Sequence, residues 1–299
     1  MDNFEGGDIF KCNSSDVGES GFSGQSQCNA PNVVHYSFRS SAGDTSRMEA
    51  DKDLTESLNR WGISGALSAR KIRFTPGFMP HEERSFLRQL LAFCVEETTQ
   101  SKATSNTATI QGVEWEALSC TVVSLDFFDS LQEKGIVCDS GDVRGCYDDV
   151  FDGIHVNDKL RELLVNPESE NAHVFSPEQQ RELIFHVFKA LCVGGAVCQP
   201  DEKLDGYIRA TKLVYKELVS ARKNASKDAL EVSPCRVYRV TGINRNEDHE
   251  LESNGNGMGA LFSGPGHRAI ESPHHVCLVA VDLARRRASV LLKEFVPFW

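Results

Sequence analysis

The apolar positions of this chain change period along its length, from helical spacing in the middle to alternation near the C-terminus. Leu54, Leu58 and Trp61 fall on one helical face, and Gly62 can end that helix. SARKIRF (68–74) reads as a short strand, with a turn at Pro76-Gly77. Pro80 suits a first helical position, with His81-Glu82-Glu83 in the first turn, where negative charge complements the helix dipole. Phe86, Leu87, Leu90, Leu91 and Cys94 form the buried stripe of that helix. Residues 97–109 are polar and read as a surface loop, and LSCTVVS (118–124) reads as a buried strand. Asp126 to Lys134 reads as a short helix with Phe127, Phe128 and Leu131 inward and Gly135 at its end. Residues 136–156 are dense in Asp and Gly and read as irregular, and Asn157 can cap a short helix over DKLRELL.

The sharpest local signal is Ser176-Pro177-Glu178-Gln179. Ser caps, Pro takes the first helical position, and Gln179 can close a capping box. Leu183, Ile184, Val187, Phe188 and Leu191 follow as an apolar face, ended by Gly194-Gly195. A second helix is expected over 202–223, with Leu204, Ile208, Thr211, Tyr215, Leu218 and Arg222 on one face, so the two helices form a packed hairpin. Then CRVYRVTGI (235–243) alternates as a strand. HHVCLVAVDL and ASVLLKEF, joined across ARRR (284–287), read as a β-hairpin. The Gly- and Asn-rich 245–273 reads as a flexible insertion. Residues 1–50 lack sustained periodicity and are expected to be a disordered tail. Residues 51–299 are then expected to form a single α+β domain: a mainly helical middle with a small, largely antiparallel C-terminal sheet.

Composition narrows the function. The chain has 299 residues, 40% hydrophobic and 25% charged, which is enough to bury a core. A formal charge of -11 disfavours broad contact with nucleic acid or anionic membrane, both polyanions. No apolar run is long enough to span a bilayer, and the acidic start MDNFEGGDIFKC does not resemble a secretory signal. The ten cysteines are scattered, mostly in apolar runs, and no two are separated by just two residues. A zinc ribbon therefore has no support, and the cysteines read as small buried hydrophobes in a reducing compartment. The expectation is a soluble intracellular protein.

No catalytic signature emerges. Gly194-Gly195 follows a helix rather than opening one, so it reads as a cap and turn, not a phosphate loop. Asp139, Asp142, Asp148, Asp149 and Asp152 do not keep calcium-loop spacing and read as a solvated acidic loop. His81-Glu82-Glu83 fits an iron triad only formally, and no G-x-S-x-G elbow occurs. His186 lies mid-helix beside Phe185 and Val187 and reads as a satisfied core or boundary histidine. No cofactor or metal is expected. Arg285, Arg286 and Arg287 form the one compact basic run, with Lys293 on the return strand. As partner-binding candidates this leaves those three arginines, the acidic residues Asp139, Asp142, Asp148 and Asp149, and the exposed face of helix 202–223.

Several segments go further. LDFFDSLQEKGIVCDSGDV (125–143), HVNDKLRELL (155–164), FSPEQQRELIFHVFKALCVGGAVCQ (175–199), YIRATKLVYKELVSARKN (207–224) and VCLVAVDLARRRASVLL (276–292) resemble the cilia- and flagella-associated protein 300 family. The resemblance runs from Leu54 to Leu292, with residues 1–50 outside it. It implies a non-catalytic role in assembling or transporting outer and inner axonemal dynein arms. It further implies dynein arm assembly factors and intraflagellar transport machinery as partners, in the cytoplasm and the cilium. It carries no catalytic residue. A stable structural component of the axoneme, and an enzyme with an unrecognised Cys/His or metal site, are the alternatives.

Overall fold

Segments far apart in sequence supply the strands of one antiparallel sheet. The structure is a computed structural model that describes residues 34–41, 47–99, 110–224, 229–233, 235–245, 258–262 and 272–296. It opens with β1 (Ser37–Ser40), α1 (Arg47–Ala50), α2 (Lys52–Arg60), β2 (Leu67–Thr75), α3 (Glu83–Thr99) and β3 (Ile110–Leu118). The middle holds α4 (Ser130–Glu133), β4 (Gly145–Phe151), β5 (Ile154–Asp158), α5 (Lys159–Val165), α6 (Pro177–Gln180), α7 (Leu183–Val193) and α8 (Leu204–Leu218). Last come β6 (Ala221–Asn224), β7 (Ala229–Val232), β8 (Cys235–Arg245), β9 (Val276–Asp282) and β10 (Arg287–Lys293).

The six-stranded sheet has the order β1-β2-β10-β9-β8-β3, and every neighbouring pair is antiparallel. This overturns the expected fold class. The chain is not mainly helical with a small C-terminal sheet: three N-terminal strands and three C-terminal strands build the sheet together. The reason is that pairing between remote segments leaves little local trace. In β3, register shifts between Ile110 and Gly112 and between Glu114 and Trp115 break the alternation that would reveal a strand. β3 therefore ends where the expected strand 118–124 was to begin. Beyond it Ser119 makes only an isolated bridge to Glu182. Thr121 donates its hydroxyl to the buried Glu182 carboxylate at 2.6 Å.

The sheet separates two cores. On one face α3 lays Phe86, Leu87, Leu90, Leu91 and Cys94 against Ile72, Phe74, Val279 and Val290. On the other, residues of α7 and α8 such as Val187, Leu191, Val214 and Leu218 cluster with Val237, Leu278, Ala280 and Leu291. Side chains on a strand alternate between faces, so β9 and β10 feed both cores and are buried almost throughout. Of the residues expected in the tail, Ser37–Ser40 instead pair with β2, and the buried Tyr36 packs edge-on to Phe86 at 4.9 Å. Residues 1–33 and 42–46 lie outside the described residues, as does most of the insertion. Within the insertion a 3-10 turn, Met258–Leu261, adds the buried Met258 and Leu261 to the α3 core.

Three further local expectations change. Residues 136–156, read as irregular, hold most of the β4–β5 hairpin, which runs on to Asp158. Its Asp152-Gly153 turn has φ of 48° and 81°, the positive pair that a two-residue hairpin loop requires. Asp158, not Asn157, caps α5, accepting from the Arg161 amide at 2.7 Å. Helix α8 stops at Leu218, and Arg222 sits on β6, paired with Glu231 at 2.8 Å. The capping box at Ser176 forms as its spacing predicts: the Gln179 amide donates to Ser176 Oγ at 3.2 Å, and the Ser176 amide donates to Gln179 Oε1 at 2.8 Å. Ser176→Ala is therefore expected to lose about 1 kcal/mol of stability in urea denaturation. An unchanged midpoint would mean that the cap contributes nothing.

Candidate functional site

The turn from β9 to β10 carries the predicted arginines, which differ in their contacts. Arg285 is exposed but paired: its guanidinium meets Asp282 at 3.0 Å and its amide donates to the same carboxylate at 2.9 Å. Arg287 is half-buried and donates to Ser220 Oγ at 3.4 Å. Arg286, at φ 50°, is exposed at the turn.

The predicted acids divide as well. Asp139 and Asp142 lie in the turn before β4. Asp139 accepts from Gln132 Nε2 at 3.3 Å, and Asp142 from Ser140 Oγ at 2.5 Å with Lys203 Nζ at 4.0 Å. Asp148 and Asp149 sit on β4. Asp148 faces His155 at 3.7 Å, and Asp149 accepts from the Val150 amide at 2.7 Å. Beside this second pair Tyr147 is 97% exposed and Val150 54% exposed. Helix α8 was expected to offer an exposed face. Instead Glu217 turns into the sheet, only 2% exposed.

A site that sequence reasoning missed lies between the sheet and α7. The two-residue period of β10 directs Leu291 and Lys293 to the α7 side and Val290 and Leu292 to the α3 side. There a cavity of about 640 Å³ is walled by Leu118, Phe185, Val193 and Leu278, and by the polar side chains of Glu116, Arg181, His186, Lys189, Arg239, His274, His275 and Lys293. Lys293 is fully buried, and its Nζ has no hydrogen-bond partner among the described residues. Burial pulls its pKa down to about 7, and the neighbouring charge of Lys189 pulls the same way. Burial, then the charge of Lys293, holds His274 at about 4, and its Nε2 is likewise unpartnered among the described residues. Burial holds His186 at about 3, reinforced by Arg239 and Lys189. Both imidazoles are thus neutral at pH 7. At the outer edge Arg239 pairs with Glu116 at 2.9 Å, both side chains nearly half exposed. His275 is fixed in place: its Nδ1 accepts from the Phe295 amide at 3.1 Å, and its ring stacks on Phe262 at 4.9 Å.

So Lys293, read with the basic hairpin tip, belongs to the far end of its strand. His186, read as a core or boundary histidine, lines a cavity. One signal could have found the site. In ASVLLKEF the lysine keeps the inward phase of Ser289 and Leu291, where a strand buried on both faces has no place for an unpaired charge.

A pH experiment tests that burial. Above about pH 10.4 Lys293 is neutral in both the folded and the unfolded chain. As pH falls toward 7 the unfolded lysine takes up a proton that the folded one refuses, so folding stability declines over that window. Lys293→Met lacks this loss. It is expected to exceed the wild type at pH 7 by about 1–3 kcal/mol in urea denaturation, with the advantage shrinking toward pH 10. Identical pH dependence in the two proteins would count against a buried lysine whose pKa is lowered.

Among the described residues no cluster of three or more His, Cys, Asp or Glu could hold a metal ion. None of their helices is long and apolar enough to cross a membrane. The family model described as cilia- and flagella-associated protein 300 matches residues 35–293. The match begins ahead of β1, so it includes residues that sequence reading placed outside the resemblance. A relative of that description from Chlamydomonas reinhardtii is 32% identical over 189 residues, covering 62% of this chain and 67% of the relative. One from Paramecium tetraurelia is 31% identical over 183 residues, covering 61% and 72%. No solved structure matches.

Proposed function

Because the chain belongs to the cilia- and flagella-associated protein 300 family, we propose that it is a non-catalytic factor in the assembly or transport of outer and inner axonemal dynein arms. The observation that carries this reading is the family match across residues 35–293, since the family's name associates it with cilia and flagella. The protein acts by holding partners: dynein arm assembly factors in the cytoplasm, and the intraflagellar transport machinery on the way to the axoneme. Two exposed features suit that task. One is the β4–β5 hairpin, where exposed Tyr147 and Val150 flank Asp148 and Asp149. The other is Arg286 at the β9–β10 turn. An aromatic residue beside charges can give a partner both buried area and electrostatic register.

Deletion of the gene in a flagellated cell is the test. Flagella should be present but poorly motile, with dynein arms missing in cross-section. Normal arms and normal beating would overturn the proposal. Extraction with detergent and salt separates an assembly factor, which stays in the soluble pool, from a stable axonemal component. Tyr147→Ala and Arg286→Glu, each expected to fold normally because the side chains are exposed, should reduce capture of assembly factors from cell extract.

A further inference from the structure

The cavity between the sheet and α7 has no part in protein docking as proposed above, yet it concentrates costly chemistry. A buried ammonium without an acceptor is costly, and folded chains normally relieve that by pairing it. Here Lys293 is fully buried and its Nζ has no partner among the described residues. His274, only 7% exposed, leaves Nε2 unpartnered beside the same space. The charges of Lys293 and Lys189 both act on His274, opposed by Asp152, and that of Lys189 also acts on Lys293, so these groups share one neighbourhood of the cavity wall. Four cationic side chains line the space, Arg181, Lys189, Arg239 and Lys293, against the single carboxylate of Glu116. Water can solvate one ammonium, but it cannot balance that excess of positive charge. A dianion can.

We infer that this cavity binds the phosphate group of a small phosphorylated molecule. Lys293 donates to the phosphate from a fully buried position, where a charge-assisted bond is strong. His274 offers Nε2 as donor or acceptor according to its tautomer. Lys189 and Arg239 close on the anion from α7 and β8. The volume of about 640 Å³ is in the range of small-molecule sites and leaves room for a body beyond the phosphate, against Leu118, Val193 and Leu278. Two orphaned, nine-tenths-buried polar groups facing a cationic cavity indicate a ligand rather than a packing defect, since the single change Lys293→Met would remove the larger cost.

Isothermal titration of the full chain tests the assignment, with inorganic phosphate and glycerol 3-phosphate as probes and acetate and chloride as controls. Phosphate and the ester should bind, and the controls should be at least about tenfold weaker. Saturating phosphate should also raise Tm. Lys293→Met should remain folded, with an unfolding midpoint at or above that of the wild type, and weaken phosphate binding at least about tenfold. Lys189→Met, at a half-buried wall position, carries the same expectation if the first variant fails to fold. Absence of binding by both phosphate probes, or wild-type affinity in the folded variants, would overturn the site. Acetate binding as tightly as phosphate would overturn the choice of phosphate.

Discussion

Replacing Gly195 with Ala is expected to remove about 3 kcal/mol or more of folding stability, a large effect for the addition of one methyl group. A Cβ at that position would sit 2.3 Å from the carbonyl oxygen of Gly62, a backbone atom with nowhere to move. The close approach is a clasp. The Gly195 amide donates to Trp61 O at 2.8 Å, and the Gln199 amide donates to Arg60 O at 2.8 Å. These bonds seal the link between α7 and α8 onto the end of α2, beside the Trp61–Tyr207 stack at 4.6 Å. Gly194 is constrained for a different reason. Its φ of 66° and ψ of -156° lie where only glycine is comfortable, and a Cβ there would also meet Cys198 Sγ at 2.5 Å. Urea denaturation of both alanine variants measures the loss. A midpoint near that of the wild type for Gly195→Ala would show that α2 and the link can separate without penalty.

Glu217→Ala is expected to cost about 3–5 kcal/mol, because it removes one side of an ion pair held largely inside the protein. Lys71 on β2 meets Glu217 on α8 at 2.7 Å, with the two side chains only 16% and 1% exposed. The pair pins α8 to a sheet strand more than a hundred residues away in sequence. Replacing both residues, as Lys71→Met with Glu217→Leu, is expected to recover most of the loss, since an apolar pair of similar volume avoids the desolvation of two ions. A double-mutant cycle in urea checks both statements. A loss under about 1 kcal/mol for Glu217→Ala would mean that the lysine finds equal stabilisation elsewhere.

These two positions show where sequence reasoning succeeded and where it stopped. Gly194-Gly195 was legible as the end of a helix, and Gly194 does end α7. That Gly195 must admit the backbone of residue 62 was not legible, because contact across 133 positions has no local signature. Glu217 is a charged residue on a helix expected to offer an exposed face, yet its phase on α8 turns it to the sheet. Lys293 sits on the return strand as the sequence indicates, and its alternation with Leu291 is the one local sign that it points inward. The Asp152-Gly153 hairpin turn, by contrast, was a readable local signal hidden by the acidic composition around it.

By itself the sequence determined what local chemistry can decide. The Ser176 capping box, the apolar faces of α2, α3 and α7, and the β9–β10 hairpin each follow from residues within about one or two turns of one another. Family membership was likewise carried by contiguous segments. Only the tertiary structure decided that β1, β2 and β3 complete a six-stranded sheet, that Lys71 reaches Glu217, and that Lys293, His274 and Lys189 face one cavity. The physical reason is common to all three. Each depends on which remote segments share a sheet edge or a face, and closing a long loop depends on the packing of the whole chain rather than on the identity of neighbouring residues.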